Sequence, residues 1–385
     1  MILSACWIVC WVRGLGRWAL MSMLSSAMAA MVVRLTDVAG RVPADMATRP
    51  PAEKWLKKAS AIWLRPLLPT QTNRTRLISL DDSVAGGAFA GQVPLVYYAA
   101  EVWGLARKIA IVTDTTADLT PEMVEELGVT VVPLQVIFGN EAYREGVEIT
   151  TEEFYERLVK SRQLPTTSAP SVGDFQEVYE RLLEEVDSIV SIHIGAKLSA
   201  TIEAAQTARQ SLAKPERIEI VDSQAVSVEI AFVVMEAVEA ARAGAKLAEV
   251  KAAAESAVPR TQVRFMLDTL EYVRRGGRIG RARAYMGTLL RIKPILSFRE
   301  GELYPEERVR TRARGLERII QWAVRQQKVK RAAVGYSTTL DEAESIRERL
   351  AMAFPNVKVY LVRFGPVLGT HGGPGNVGVG IMKGE

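Results

Sequence analysis

The chain has 385 residues with a net charge of +5 and two cysteines, a length that accommodates two or three domains, each with its own apolar core. The charge is not spread along it: residues 1–107 hold 12 basic and 6 acidic residues, which leaves 37 and 38 for residues 108–385. The body is therefore neutral and lacks the basic footprint of a nucleic-acid-binding protein.

Both cysteines, Cys6 and Cys10, lie in the front segment, with six of the seven tryptophans. A body without cysteine has no disulfide framework and no Cys-ligated metal, which suits a reducing compartment and a cytoplasmic location. Residues 18–33, WALMSMLSSAMAAMVV, follow Arg13 and Arg17 and resemble a signal peptide. An uncharged apolar run precedes those arginines, however, and the stretch falls short of the roughly 20 residues of a membrane helix, so stable membrane insertion is not expected. Beyond it, one short amphipathic piece at 51–68 stands among scattered Pro, Arg, Thr and Gly. Residues 1–107 read as an extension without a core or clear fold, poorly ordered or translated from a misassigned start. A cut near Leu105 is expected to leave a complete-looking protein.

From Lys108 onward, short β-branched runs alternate with amphipathic helical runs, the pattern of an α/β fold with a mostly parallel sheet. The spacing predicts strands at 108–113, 129–138, 188–194, 218–221, 263–267, 332–336 and 357–363. Helix starts are marked by Thr120-Pro121-Glu122, with Gly128 as the stop, and by the hydroxyl-x-x-acid pattern at Thr150 to Glu153 and Ser171 to Asp174. Residues 223–243 predict a helix that is apolar over much of its length. Around Glu300-Gly301-Glu302 the pattern predicts an antiparallel hairpin and a second domain, which divides the body into 108–270 and 271–385.

Candidate chemistry lies in five places. Asp114 and Asp118 follow the first strand, at the sheet edge where α/β proteins bind ligands; they suit acid/base or metal work, or turn formation and capping. No further acidic or His ligand stands at a recognisable spacing, so no metal site is expected. Thr166, Thr167 and Ser168 stand between Pro165 and Pro170, where the prolines hold a loop extended and its hydroxyls can donate to a carboxylate or cap the loop. Ser199 falls at or beside the start of the next helix, as a plain cap or an anion donor. The basic Gly-rich run 274–281, which includes Arg278, matches no phosphate loop. It reads as an exposed surface for a partner protein, with Arg308, Arg310 and Arg312 as further candidates or as a solvated face. His371, one of two histidines, sits in the glycine-rich run Gly369 to Gly375, where backbone can approach a ligand closely. The other, His193, lies inside an apolar strand as a core residue.

Taken in order, KIAIVTDTTADL, LPTTSAPSVGDF, KLSAT, YVRRGGRIGRA with LLRIKPIL, and THGGPG resemble the DegV family from Lys108 to Glu385. One such segment would be weak, whereas five in register are specific. The resemblance implies two α/β domains with a ligand slot between them, and a long-chain fatty acid as the bound ligand, with no cofactor. It implies a carboxylate gripped by the hydroxyls of Thr167 and Ser199, with Ser168 and His371 alongside. It also implies a non-catalytic role as the fatty-acid-binding subunit of a bacterial fatty acid kinase, whose separate subunit binds ATP. One departure stands out: the family's usual Ser-Ser-Lys-Leu-Ser-Gly-Thr is here Gly195-Ala196-Lys197-Leu198-Ser199-Ala200-Thr201. The alternatives are an enzyme acting on a small carboxylate or polyol through Asp114 and Asp118, and a regulatory protein that senses fatty acid.

Overall fold

The structure, a computed structural model, describes residues 108–161 and 163–385, with the backbone alone over 286–291. The signal-like run and the amphipathic piece of the front segment lie outside the described residues. Strand β1 (Ile109–Asp114) leads through a 3-10 turn (Thr115–Ala117) into α1 (Pro121–Leu127), β2 (Thr130–Val132), β3 (Gln135–Phe138), β4 (Glu141–Arg144), α2 (Thr151–Lys160) and β5 (Thr166–Ser168). Then come α3 (Val172–Glu185), β6 (Ser188–His193), α4 (Thr201–Ser211), β7 (Ile218–Asp222), α5 (Val228–Arg242) and α6 (Leu247–Ala257). The remainder is β8 (Thr261–Met266), α7 (Glu271–Arg275), β9 (Lys293–Arg299), β10 (Glu302–Val309), α8 (Arg312–Val324), β11 (Val329–Tyr336), α9 (Leu340–Ala353), β12 (Val359–Arg363), α10 (Pro366–Gly372) and β13 (Val377–Lys383).

The helix starts obey local chemistry. Thr120 accepts a hydrogen bond from the Met123 N–H at 3.3 Å, and α1 ends at Gly128 with φ of +64°. Thr150 with Glu153 and Ser171 with Asp174 form reciprocal capping boxes. The stretch 129–138, predicted as one strand, is two. Pro133, which lacks an N–H, stands at the break, and β2 and β3 join different sheets.

The first sheet is fully parallel in the order β2-β1-β6-β7, and a small antiparallel sheet has the order β4-β3-β5. The third sheet, β10-β9-β8-β13-β11-β12, is antiparallel except for the β11–β12 pair. The predicted hairpin is present as β9–β10, turning on Glu300 and Gly301 at φ of 49° and 76°. Because β8 pairs with β9 and β13, the third sheet begins at Thr261, ahead of the 270/271 division expected from the sequence.

Helix α5 fills the space between the parallel and mixed sheets, and α6 packs against α5 and the parallel sheet. Val233, Val234 and Ala254 pack in one core with Ile192 from one sheet and Ala333 and Met382 from the other. Residues 228–238 of α5 are buried on every side, so its apolar residues run round the helix rather than along one stripe. Helices α3 and α4 cover the outer face of the parallel sheet, and α8 and α9 that of the mixed sheet. No helix among the described residues is long and apolar enough to cross a membrane.

Two buried side chains of α5 are acidic: Glu236 is paired with Arg260, Lys330 and Arg331, whereas Glu229 has no cation beside it among the described residues. Glu229 is 3% exposed, its Oε2 has no hydrogen-bond partner, and burial pushes its carboxyl up to about 8. A folded-state value above the unfolded one means a proton held by the folded chain and released on unfolding. Glu229 thus contributes stability below the ordinary carboxyl range that is lost as pH rises toward 8. Glu229→Gln is expected to raise the melting temperature at pH 8.5 while changing it little at pH 5; thermal denaturation across that range measures it, and a parallel drop at both pH values would contradict it.

Candidate functional site

Strand ends of the parallel sheet face one side of the mixed sheet across a cavity of about 390 Å³, a size usual for small-molecule sites. Its walls are mostly apolar: Ile194 and Leu134 follow parallel strands, while Val263 and Phe265 of β8 and Phe298 of β9 come from the mixed sheet. Phe265 and Phe298 stack at 5.4 Å between ring centroids. Only the start of α5 reaches the cavity, through Val226, Ser227 and Val228, so this helix supports the wall more than it forms it.

Polar groups also line the cavity. Thr167 lies at the middle of β5, paired opposite Val136, and the alternation of the strand turns it inward while Thr166 and Ser168 are exposed. Its Oγ1 lies 2.8 Å from Nε2 of His371 on α10. Ser168 lines the cavity but donates to the neighbouring Ala169 carbonyl at 3.1 Å. Ser199 lines it one residue before Ala200, the cap of α4, with its Oγ 2.8 Å from the Thr201 hydroxyl. The altered Gly195-Ala196 pair therefore leaves the serine and threonine of this segment in contact.

Arg278, read from the sequence as partner-facing, borders the cavity. Its guanidinium donates to the carbonyls of Leu198 at 3.1 Å and Gly276 at 2.7 Å, and no carboxylate pairs with it among the described residues. A positive charge held by backbone alone suits an anion. The other basic candidates stand elsewhere. Arg308 lies over the Tyr285 ring and Arg310 is exposed, while Arg312 is bound to Glu342 and to the Gly375 carbonyl.

Burial, and then the charge of Arg278, hold the His371 imidazolium down to about 4, so the ring is neutral near pH 7. Its Nδ1 is buried without a partner. A buried orphan N–H is rarer than an orphan acceptor, which assigns the proton to Nε2. The imidazole then donates to Thr167, and the threonine hydroxyl keeps its own proton for a ligand.

Gly276 is a further site residue that the sequence alone did not single out. A Cβ there would lie 2.2 Å from His371 Nδ1, so glycine is what lets the turn after α7 seat the ring. Its signal was the Gly-Gly inside the arginine run, read there as surface.

Asp114 and Asp118 are committed to protein donors. Asp114 is fully buried and accepts from Thr116 N–H at 3.0 Å, Ile194 N–H at 3.1 Å and the His193 ring at 2.9 Å. His193 in turn meets Ser191, which accepts from Tyr179. This chain ties β1 to β6 inside the core. No cluster of metal-binding side chains occurs among the described residues.

Fold and site together define an α/β protein with an apolar cavity whose polar lining of hydroxyls, a neutral imidazole and a cation suits an anionic head group. The comparisons give the family. A family model described as an uncharacterised protein of the DegV family matches residues 108–384, and the chain belongs to the DegV family. A DegV domain-containing protein of Halalkalibacterium halodurans is 41% identical over 279 residues, covering 71% of this chain and 97% of the relative. The structure of a DegV family protein from Thermus thermophilus, described for its fatty acid binding, matches with a TM-score of 0.67 at 36% identity over 72% of this chain and 99% of its own. A fatty acid (stearic acid)-binding protein from Eubacterium ventriosum matches with a TM-score of 0.67 at 26% identity over 71% of this chain and 98% of its own.

The seat of His371 makes a direct expectation. In Gly276→Ala the ring must leave its place, and its titration should rise from about 4 toward the ordinary 6.5. Proton NMR can follow this readily in a chain with two histidines. A midpoint unchanged in the folded variant would contradict the packing described.

Proposed function

We propose that this chain binds a long-chain fatty acid with its carboxylate at Thr167, Ser199 and His371, and presents the head group to a separate ATP-dependent kinase subunit. The observation that carries the reading is the hydrogen-bonded Thr167–His371 pair on the wall of a largely apolar cavity. The fatty acid binding of DegV relatives supports it.

The energetics fit an amphiphile. Each buried methylene contributes about 0.8 kcal/mol, so a sixteen-carbon tail supplies roughly 10 kcal/mol before ordering costs. Neutral hydroxyl donors and Arg278 compensate the carboxylate for part of its lost hydration. The tail gives affinity and the head group gives orientation.

In this reading the chain performs no bond-making itself and acts in the cytoplasm. Arg308 and Arg310 are the docking candidates beside the Arg278 loop; Arg312, tied to Glu342, contributes less free charge. Asp114 and Asp118, the centre of the alternative enzyme, have their oxygens occupied by backbone and hydroxyl donors.

Native mass spectrometry of the full chain purified from cells tests the proposal. The expected species carries one long-chain fatty acid, and Thr167→Ala combined with Ser199→Ala should weaken retention about tenfold or more, the scale of one or two hydrogen bonds to a charged group. A well-folded chain without fatty acid, or a double variant that retains it unchanged, would overturn the assignment.

A further inference from the structure

His371 stands on a helix two turns long, too short to hold its own position. What fixes α10 lies at its other end. The Gly365 N–H donates to Asp118 Oδ1 at 2.9 Å and the Val367 N–H donates to Glu145 Oε1 at 3.0 Å. Pro366, between them, has no N–H to offer. Asp118 comes from the turn after β1 and Glu145 from the end of β4, so two distant segments grip the same start of a helix. Both side chains are buried, at 8% and 5% exposure.

The surroundings are built for this contact. A Cβ on Gly365 would lie 2.3 Å from Glu145 Oε1 and 3.3 Å from Asp118 Oδ1, so only glycine admits both carboxyl groups. Ser227, at the cap of α5, donates to the second oxygen of Asp118 at 2.6 Å. The Tyr155 hydroxyl donates to the Phe364 carbonyl at 3.1 Å. A Cβ on Gly369 would press within 2.5 Å of Phe154, which closes the other side of the helix. Neither Asp118 nor Glu145 lines the cavity.

We propose that Asp118 and Glu145 are positioning residues: together they latch the start of α10 and so set His371 against Thr167. The inference rests on the proposed fatty acid site for its functional meaning, although the latch itself concerns only the protein. Burial disfavours the charged form of both groups, which limits the repulsion between two adjacent carboxyls. Burial pushes Glu145 up to about 7, and burial with the nearby Glu145 and Asp114 charges pushes Asp118 well above the usual carboxylate range. A protonated carboxyl still accepts from the helix through its carbonyl oxygen.

The test uses the full chain with two readouts, the NMR titration of His371 and the binding of palmitate. Glu145→Ala removes the acceptor, so the His371 midpoint should rise from about 4, and palmitate binding should weaken about tenfold, as for one lost buried hydrogen bond. Glu145→Gln keeps an acceptor oxygen and should restore both. If Glu145→Ala does not fold, Gly365→Ala decides, because its Cβ forces the latch apart with both carboxyl groups present; the same two shifts are expected. A folded Glu145→Ala or Gly365→Ala chain with an unchanged His371 titration would overturn the latch. Should the parent chain bind no palmitate, the ligand assignment fails, while the titration still decides the latch.

Discussion

The site depends on one hydrogen bond, between the Thr167 hydroxyl and His371 Nε2, which joins residues 204 positions apart in the chain. Thr167 comes from the edge of a small antiparallel sheet and His371 from a short helix that leads into β13. The bond therefore joins the small sheet to the element that leads into the mixed sheet. Gly276 presses on the ring from one side and the Asp118–Glu145 pair holds the helix from the other. A neutral imidazole held in this way orients the threonine hydroxyl without bringing a charge of its own into an apolar cavity.

The same economy governs the layers. Helix α5 is buried from Val228 to Val238 because it lies between two sheets, and its N-terminal residues meet the cavity. Strand β13 carries Gly378 and Gly380 at the centre of the mixed sheet. A Cβ on Gly378 would lie 2.5 Å from Phe265, and one on Gly380 2.4 Å from Val228. Glycine at these positions lets the cavity wall and α5 approach the sheet closely, and Gly378 itself lines the cavity.

Those glycines also explain what the sequence concealed. Val377–Lys383 alternates valine with glycine and reads weakly as a strand, yet it is central to the mixed sheet, paired with both β8 and β11. In the sequence β5 has the look of an extended hydroxyl loop only, because three residues between prolines carry little periodicity. By contrast, the strong β-branched runs, the capping boxes and the Glu300-Gly301 turn were legible, since each is fixed by local chemistry. Thr167, Ser199 and His371 were legible as candidate residues, and the structure lines one cavity with all three. The roles of Arg278, Gly276 and Glu145 were not, because they arise from contacts between segments far apart in sequence.

The central claim is that a fatty acid carboxylate meets the Thr167–His371 pair while its tail lies against Phe265 and Phe298. A crystal structure of the full chain with palmitate tests this most directly. The account predicts a carboxylate oxygen within hydrogen-bonding distance, about 2.5–3.0 Å, of the Thr167 hydroxyl, with the tail in the cavity of about 390 Å³. A carboxylate bound away from Thr167 and His371, or a tail outside that cavity, would contradict it.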